Sequence, residues 1–309
     1  MRILYGKGVW AWLEGELSQA IDLAYAIGAR IIFFKTGQEG EYYEQSARRV
    51  VQRIFDAGLI PCAWPVITCH DPQAEAEVAT QTILDGYVGL VFDIEKPASG
   101  QHEGAKKLGQ LMTKTELPPE VMFFTSLPNI SANTDIPYDE MRKFCRGGFM
   151  PQAYASFDWT PDYTLDIATY HEFKQWMKYK RHKLPMYPVL GFYRDEHGEE
   201  PLTVDEVRAW LKALARQRPT FFSVYRAGII PEEAWPLLAE FETTPQGETP
   251  PEPPVEGKYV TVERGTTLGQ LCTSCTIEQF MEWNGHLWDA RDKPRDPRLL
   301  EAGWIVRIK

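Results

Sequence analysis

Residues 7–241 pass eight times from a short apolar, β-prone run to an amphipathic helical stretch, and few folds accept that order at that length. Strands are expected at residues 7–13, 30–35, 60–68, 88–95, 121–126, 148–154, 186–193 and 221–225. Helices are expected at 17–27, 42–57, 73–82, 102–117, 137–145, 165–181, 203–217 and 232–241. The punctuation agrees with this division. Gly28 and Gly58 stop the first two helices, Thr36-Gly37 reads as a turn, and Asp71 caps a helix whose first position is Pro72. Thr203 with Glu206 three residues on has the spacing of a capping box. Eight strand–helix pairs in roughly 240 residues are the count and length of a (β/α)8 barrel, an α/β fold. An open doubly wound sheet would want a glycine-rich phosphate loop after its first strand, and none follows Trp12.

The pattern breaks after residue 242. Residues 243–257 include Pro-Gln-Gly-Glu-Thr-Pro-Pro-Glu-Pro-Pro, proline-rich and acidic with almost nothing to bury, which reads as an extended tether. Three parts are therefore expected: a barrel over 1–242, the tether over 243–257, and a small α+β unit over 258–309.

The chain of 309 residues is 44% hydrophobic and 13% aromatic, enough for a large core. Its net charge of −10 argues against nucleic acid as a partner, which would require a concentrated basic face. No apolar stretch is long enough to span a bilayer. Five cysteines form no disulfide framework, and Cys272-Thr273-Ser274-Cys275 lacks both a redox and a four-ligand metal setting. His70 has no second histidine at ligand spacing, so neither a metal nor another cofactor is expected. Residues 1–12 run straight into a strand and show no secretory signal. Cytoplasmic synthesis follows as an expectation, in keeping with a phage or prophage product that acts at the cell wall.

The chemistry is carried by Val88-Gly89-Leu90-Val91-Phe92-Asp93-Ile94-Glu95. Asp93 and Glu95 are two apart on a strand and point to one side, at the C-terminal rim where barrels of this kind keep their sites. Adjacent carboxylates raise each other's pKa, so that one can hold a proton while the other stays charged. Trp10, Trp12, Trp64, Tyr154 and Tyr193 fall near other C-terminal strand ends, where aromatic rings suit a sugar cleft. Any single Trp there is better explained as core than as a ligand contact. Gln152 and Tyr225 lie at the ends of the sixth and eighth strands. Lys35 and Arg226 are placed either to bind a substrate carboxylate or to neutralise Asp93 and Glu95.

Two families share these features. The succession Lys35-Thr36-Gly37-Gln38-Glu39-Gly40, Ala57-Gly58-Leu59-Ile60 and Asp93-Ile94-Glu95 resembles the family 25 glycoside hydrolases, the Chalaropsis-type lysozymes, over much of the first 155 residues. That family carries an Asp on the first strand and an acid on the last. Here those strands give Gly8-Val9-Trp10-Ala11-Trp12 and Ser223, Tyr225 and Arg226. The strand-borne D-x-E with Tyr154 also resembles the family 18 chitinases, in which the Glu is the acid and the substrate's N-acetyl group is the nucleophile. Val88 and Val91 stand where that motif has two further aspartates. The second unit, through Tyr259, Val262, Gly265, Thr267, Leu268, Asn284, Gly303 and Ile305, resembles a LysM domain, strand–helix–helix–strand. That resemblance implies N-acetylglucosamine-containing glycan, in peptidoglycan or chitin, as the partner. Residues 287–299 form a longer charged insertion than the family usually has.

Together these features point to a cell-wall glycan hydrolase with Glu95 as acid, Asp93 and Tyr154 assisting, and Trp10, Trp12, Lys35, Trp64, Gln152, Tyr193, Tyr225 and Arg226 binding substrate. The competing expectation is a non-catalytic glycan-binding or phage-particle protein on a barrel that has lost its other acids. The tether gives a direct test: limited proteolysis should cut within 243–257 and release a barrel that still unfolds cooperatively.

Overall fold

The computed structural model describes residues 4–115, 117–180, 183–195, 200–245, 259–261 and 305–307. The chain divides into two compact units, Met1–Pro251 and Glu252–Lys309.

The first unit is a closed (β/α)8 barrel. Its strands are β1 (Gly6–Ala11), β2 (Ile31–Gln38), β3 (Ile60–Ile67), β4 (Gly89–Ile94), β5 (Met122–Ser126), β6 (Gly148–Tyr154), β7 (Val189–Gly191) and β8 (Phe221–Tyr225). Each pairs in parallel with its neighbours, and β1 closes the ring by pairing with both β2 and β8. The helices between and after them are α1 (Leu17–Ile27), α2 (Glu44–Asp56), α3 (Pro72–Leu84), α4 (His102–Met112), α5 (Tyr138–Phe144), α6 (Glu172–Lys180), α7 (Val204–Gln217) and α8 (Trp235–Glu240).

Period-2 alternation sorts the strand residues into two cores. Val9, Ile32, Phe34, Leu90, Phe92, Phe124, Leu190 and Val224 face outward and pack under the helices. Trp10, Ile31, Phe33, Cys62, Trp64, Val91, Phe123, Met150, Val189 and Phe221 fill the interior. The caps behave as their residue types require. Gly28 takes φ 67 at the end of α1, Asp71 accepts from the Ala74 amide, and Thr203 and Glu206 form a reciprocal box.

Three local expectations are corrected. Residues 36–37 do not turn: β2 continues to Gln38 through an irregularity between Lys35 and Gly37, and the chain reverses at Glu39 and Gly40. Tyr42 then pairs back on Gly37 in a short antiparallel strand, Glu41–Tyr42, so α2 starts two residues later than expected. Gly37 permits this because a Cβ there would sit 2.5 Å from the Glu41 carbonyl oxygen. The seventh strand is only three residues long. Pro185 and Pro188 lack an N–H for the ladder, so Met186 makes only an isolated bridge to Phe149; beyond the strand, Tyr193 makes an isolated antiparallel bridge to Pro201. The helix expected at 165–181 begins as wider π-type turns, Tyr163–His171, before α6.

Lys7 fastens the closing seam. It faces out of the barrel, is 8% exposed, and its Nζ donates to the carbonyls of Ile27 (3.0 Å), Leu238 (2.6 Å) and Ala239 (2.8 Å). One ammonium thus ties β1 to the C-terminal ends of α1 and α8, whose last carbonyls have no partners within their own helices. Burial pulls its pKa down, opposed by Glu242.

In the second unit the described residues are two strands, Tyr259–Thr261 and Ile305–Arg307, paired antiparallel with Tyr259 opposite Arg307. The helices expected between them, and the Cys272–Cys275 motif, lie outside the described residues. Thr244 remains bonded to the barrel: its amide donates to Pro219 O and its hydroxyl to Arg218 O, each at 2.9 Å.

Replacing Lys7 by Met keeps the length of the side chain and removes its three donors. Lys7→Met should cost about 2–3 kcal/mol of barrel stability, read as a lower urea midpoint with unchanged m-value.

Candidate functional site

The inward-facing residues at the C-terminal ends of the strands line a cavity of about 320 Å³. Its lining contains Asp93 and Glu95 from β4 and the residue after it, Thr125 from β5, Gln152 and Tyr154 from β6, and Tyr225 and Arg226 from the end of β8.

Gln152 organises the carboxylates. Its Nε2 donates to Asp93 Oδ1 at 3.1 Å and to Glu95 Oε1 at 2.7 Å, so one amide holds both acids. To do this it reaches from β6 to β4 across β5. The β5 residue in register with Asp93 is Thr125, a short side chain whose hydroxyl is turned away to donate to Met150 O (2.6 Å). Asp93 is 7% exposed. Its pKa is pushed well above the usual carboxylate range, first by burial and then by the charge of Glu95, with Lys35 pulling weakly the other way. Neutralisation by Lys35 therefore does not decide the state of this acid.

The walls are aromatic. Tyr154 stacks on Tyr225 with centroids 5.4 Å apart and on Phe157 at 5.8 Å, and Tyr193 lies 5.6 Å from Tyr154. Gly191 makes room for this group, since a Cβ there would fall 2.6 Å from Tyr154 Cδ1 and 2.8 Å from Tyr193 Cε1. Burial raises the phenol pKa of all three tyrosines, that of Tyr225 to about 12, so they stand as neutral hydroxyls. Trp10 and Trp64 form the floor and are almost wholly buried. Trp10 stacks on Phe33 at 4.7 Å and donates from Nε1 to Ser223 Oγ at 2.8 Å, while Trp64 Nε1 donates to Ala11 O at 3.3 Å. These two rings therefore serve the core as well as the cavity. Trp12, 40% exposed, stands at the rim.

The two cations part company. Lys35 is 4% exposed and is not among the residues lining the cavity. Its Nζ lies over the rings of Trp12 (4.9 Å) and Trp64 (5.4 Å) and donates to Gln38 Oε1 at 2.8 Å. The assignment of Lys35 to substrate contact is corrected accordingly: it supports the tryptophans from behind. Burial lowers its pKa, against the pull of Asp93, Glu39 and Glu95. Arg226 does line the cavity, with its guanidinium carbon 4.7 Å from the centre of the Trp12 ring and its Nε 3.4 Å from Glu16 Oε1. The Tyr225–Arg226 peptide bond is cis.

Ten of the eleven residues singled out by sequence thus meet in one cavity. Thr125, Leu127, Ser156, Phe157 and Ile229 also line it and were not foreseen. Thr125 was within reach of the alternation from Phe123, whereas Phe157 and Ile229 lie beyond the strands, where no periodicity applies. Among the described residues no group of three or more His, Cys, Asp or Glu side chains is placed to hold a metal.

A scan against protein-family profiles finds no match, and a comparison with curated proteins finds none either. Solved structures do match. Active domain 2 of the thermostable chitinase from Pyrococcus furiosus superposes with TM-score 0.55 at 10% identity, over 76% of this chain and 95% of that one. The GH99 endo-alpha-mannosidase from Bacteroides thetaiotaomicron gives 0.51 at 14% identity, over 72% and 85%. The spore cortex-lytic enzyme SleL from Bacillus megaterium gives 0.50 at 8%, over 78% and 75%. At these identities the likeness establishes the barrel fold.

The raised pKa of Asp93 has a consequence for stability. A carboxyl whose folded pKa lies above its unfolded value favours folding most when protonated, and that contribution is lost as pH rises from the unfolded pKa through the folded one. Asp93→Asn keeps an oxygen for Gln152 and removes the buried charge. It should raise the melting temperature at pH 8 by about 2–4 °C, with the gain shrinking towards pH 4, as followed by thermal melts across pH.

Proposed function

We propose that the barrel is a hydrolase of N-acetylhexosamine glycans, peptidoglycan or chitin-type, with Glu95 as the general acid. The single observation that carries this reading is the bridging of Asp93 and Glu95 by Gln152 on the floor of an aromatic-walled cavity. The structural neighbours, a chitinase, an endo-alpha-mannosidase and a cortex-lytic enzyme, support glycan hydrolysis as the general class.

Among the described residues the cavity offers one carboxyl pair and no acid on β1. A mechanism with two separated protein carboxylates is therefore disfavoured against one in which the substrate's N-acetyl oxygen attacks C1. Glu95 then delivers its proton to the departing glycosidic oxygen. Asp93, which favours its proton at rest, passes it to Glu95 for this step, and the carboxylate left behind receives the acetamido N–H and offsets the positive charge that develops on the cyclised N-acetyl group. Water opens that ring with Glu95, now ionised, as base. The tyrosines contribute neutral hydroxyls and flat faces to the sugar. The LysM-like unit would hold the enzyme on the wall.

Glu95→Gln keeps the Gln152 contact and loses the transferable proton. It should lower clearance of peptidoglycan or colloidal chitin by about 10²-fold or more, and de-N-acetylated glycan should be a poor substrate of the wild type. A non-catalytic, glycan-binding or particle-structural barrel is favoured by the acid-free β1. It would show itself as a wild type that binds these glycans and clears none.

A further inference from the structure

Arg226 is the one cation among the described residues lining the cavity, and its charge is incompletely matched. Glu16 Oε1 approaches Nε to 3.4 Å, but Nε makes no hydrogen bond and is shut off from solvent. The other oxygen of Glu16 is engaged elsewhere, accepting from the amides of Trp12 (2.8 Å) and Leu13 (3.3 Å). The guanidinium carbon lies over the Trp12 ring, 4.7 Å from its centre, and the group is within hydrogen-bonding reach of the Tyr225 hydroxyl. Its side chain keeps 16% exposure. A planar fork fixed by a ring on one side and a phenol beside it is prepared for a planar, charged acceptor. A wholly neutral sugar would leave this arginine without a hydrogen-bonded anion in a partly desolvated cleft, which is unfavourable.

We infer that the cavity selects glycans in which a sugar next to the one cleaved carries a carboxylate, and that Arg226 is the specificity-determining residue that reads it. This rests on the glycan-hydrolase reading of the same cavity and narrows its substrate class. A carboxylate of this kind occurs as the lactyl ether of a muramic sugar or as the C6 acid of a uronic sugar. Glu16 and Trp12 position the guanidinium, and Glu95 acts on the bond beside it.

The test uses the full chain bearing Glu95→Gln, so that ligand is bound without turnover, and three soluble tetrasaccharides: chitotetraose, a peptide-free peptidoglycan tetrasaccharide and a hyaluronan tetrasaccharide. Calorimetric titration should give at least tenfold tighter binding for one or both acidic sugars than for chitotetraose. Raising salt from 50 to 500 mM should weaken the acidic ligand severalfold and leave the neutral one little changed. Which acid binds tighter separates the lactyl from the uronic source. Adding Arg226→Gln should remove the preference. Arg226→Lys should restore only part of it, because an ammonium keeps the charge but not the fork. The second unit is common to all these proteins, so the difference between them reports on Arg226. Equal binding of neutral and acidic glycans, or an equal loss for all three on Arg226→Gln, overturns the inference and leaves glycan hydrolysis standing. The salt comparison without any change at Arg226 decides the matter if that variant does not fold. Binding of none of the three overturns both readings.

Discussion

Everything at the mouth depends on closure of the sheet at β1. The strand pairs with β2 through Gly8 and Ile31 and with β8 through Gly8 and Ser223, so Gly8 stands on the seam itself. Inside, a Cβ at Gly8 would meet Phe33 at 2.7 Å and Phe221 at 2.9 Å; the glycine is what lets these two rings fill the interior at this level. Outside, the preceding residue, Lys7, fastens the seam to the ends of α1 and α8. Further along, Trp10 caps the interior and becomes the cavity floor. Without closure, β4, β6 and β8 would not point their ends at one another, and the carboxylates, the amide and the arginine would share no space.

The interior changes character along its axis. Below lie Phe33, Phe123, Val189 and Phe221; above lie Asp93, Gln152 and the tyrosines. Polar groups are placed where apolar packing has already excluded much of the water. Charges there interact more strongly and are also more costly to keep. Gln152 limits that cost by donating to both acids, and Lys35 offsets part of the charge from behind the tryptophans. What remains is a buried Asp93 that favours its proton, a state that lowers the stability of the barrel at high pH and that a donor–acceptor pair at this position can use.

The rim follows a different logic from the floor. Trp10 and Trp64 are immobilised by indole hydrogen bonds, whereas Trp12 stands partly in solvent between cations. Glu16 fixes this corner twice, through the backbone amides of Trp12 and Leu13 and through its approach to Arg226. The loop after β1 and the end of β8 are therefore one local assembly, although some 210 residues separate them.

The sequence by itself determined the eightfold alternation, the caps at Gly28, Asp71 and Thr203, and the inward direction of Asp93 and Glu95, because these follow from periodicity and local backbone chemistry. It also placed most of the residues that line the cavity, since inward residues at strand ends of a closed barrel must converge. Only the tertiary structure decided what each candidate does there. Lys35 and Arg226 are both cations at strand ends, yet Lys35 lies against Trp12 and Trp64 outside the cavity lining while Arg226 faces the cavity. Gln152 looked like one polar residue among several until β6 and β4 were brought either side of a threonine, and Lys7 looked like the start of a strand until two helix ends arrived beside it. Distances between elements far apart in sequence are fixed by closure and packing of the whole ring, and no local pattern encodes them.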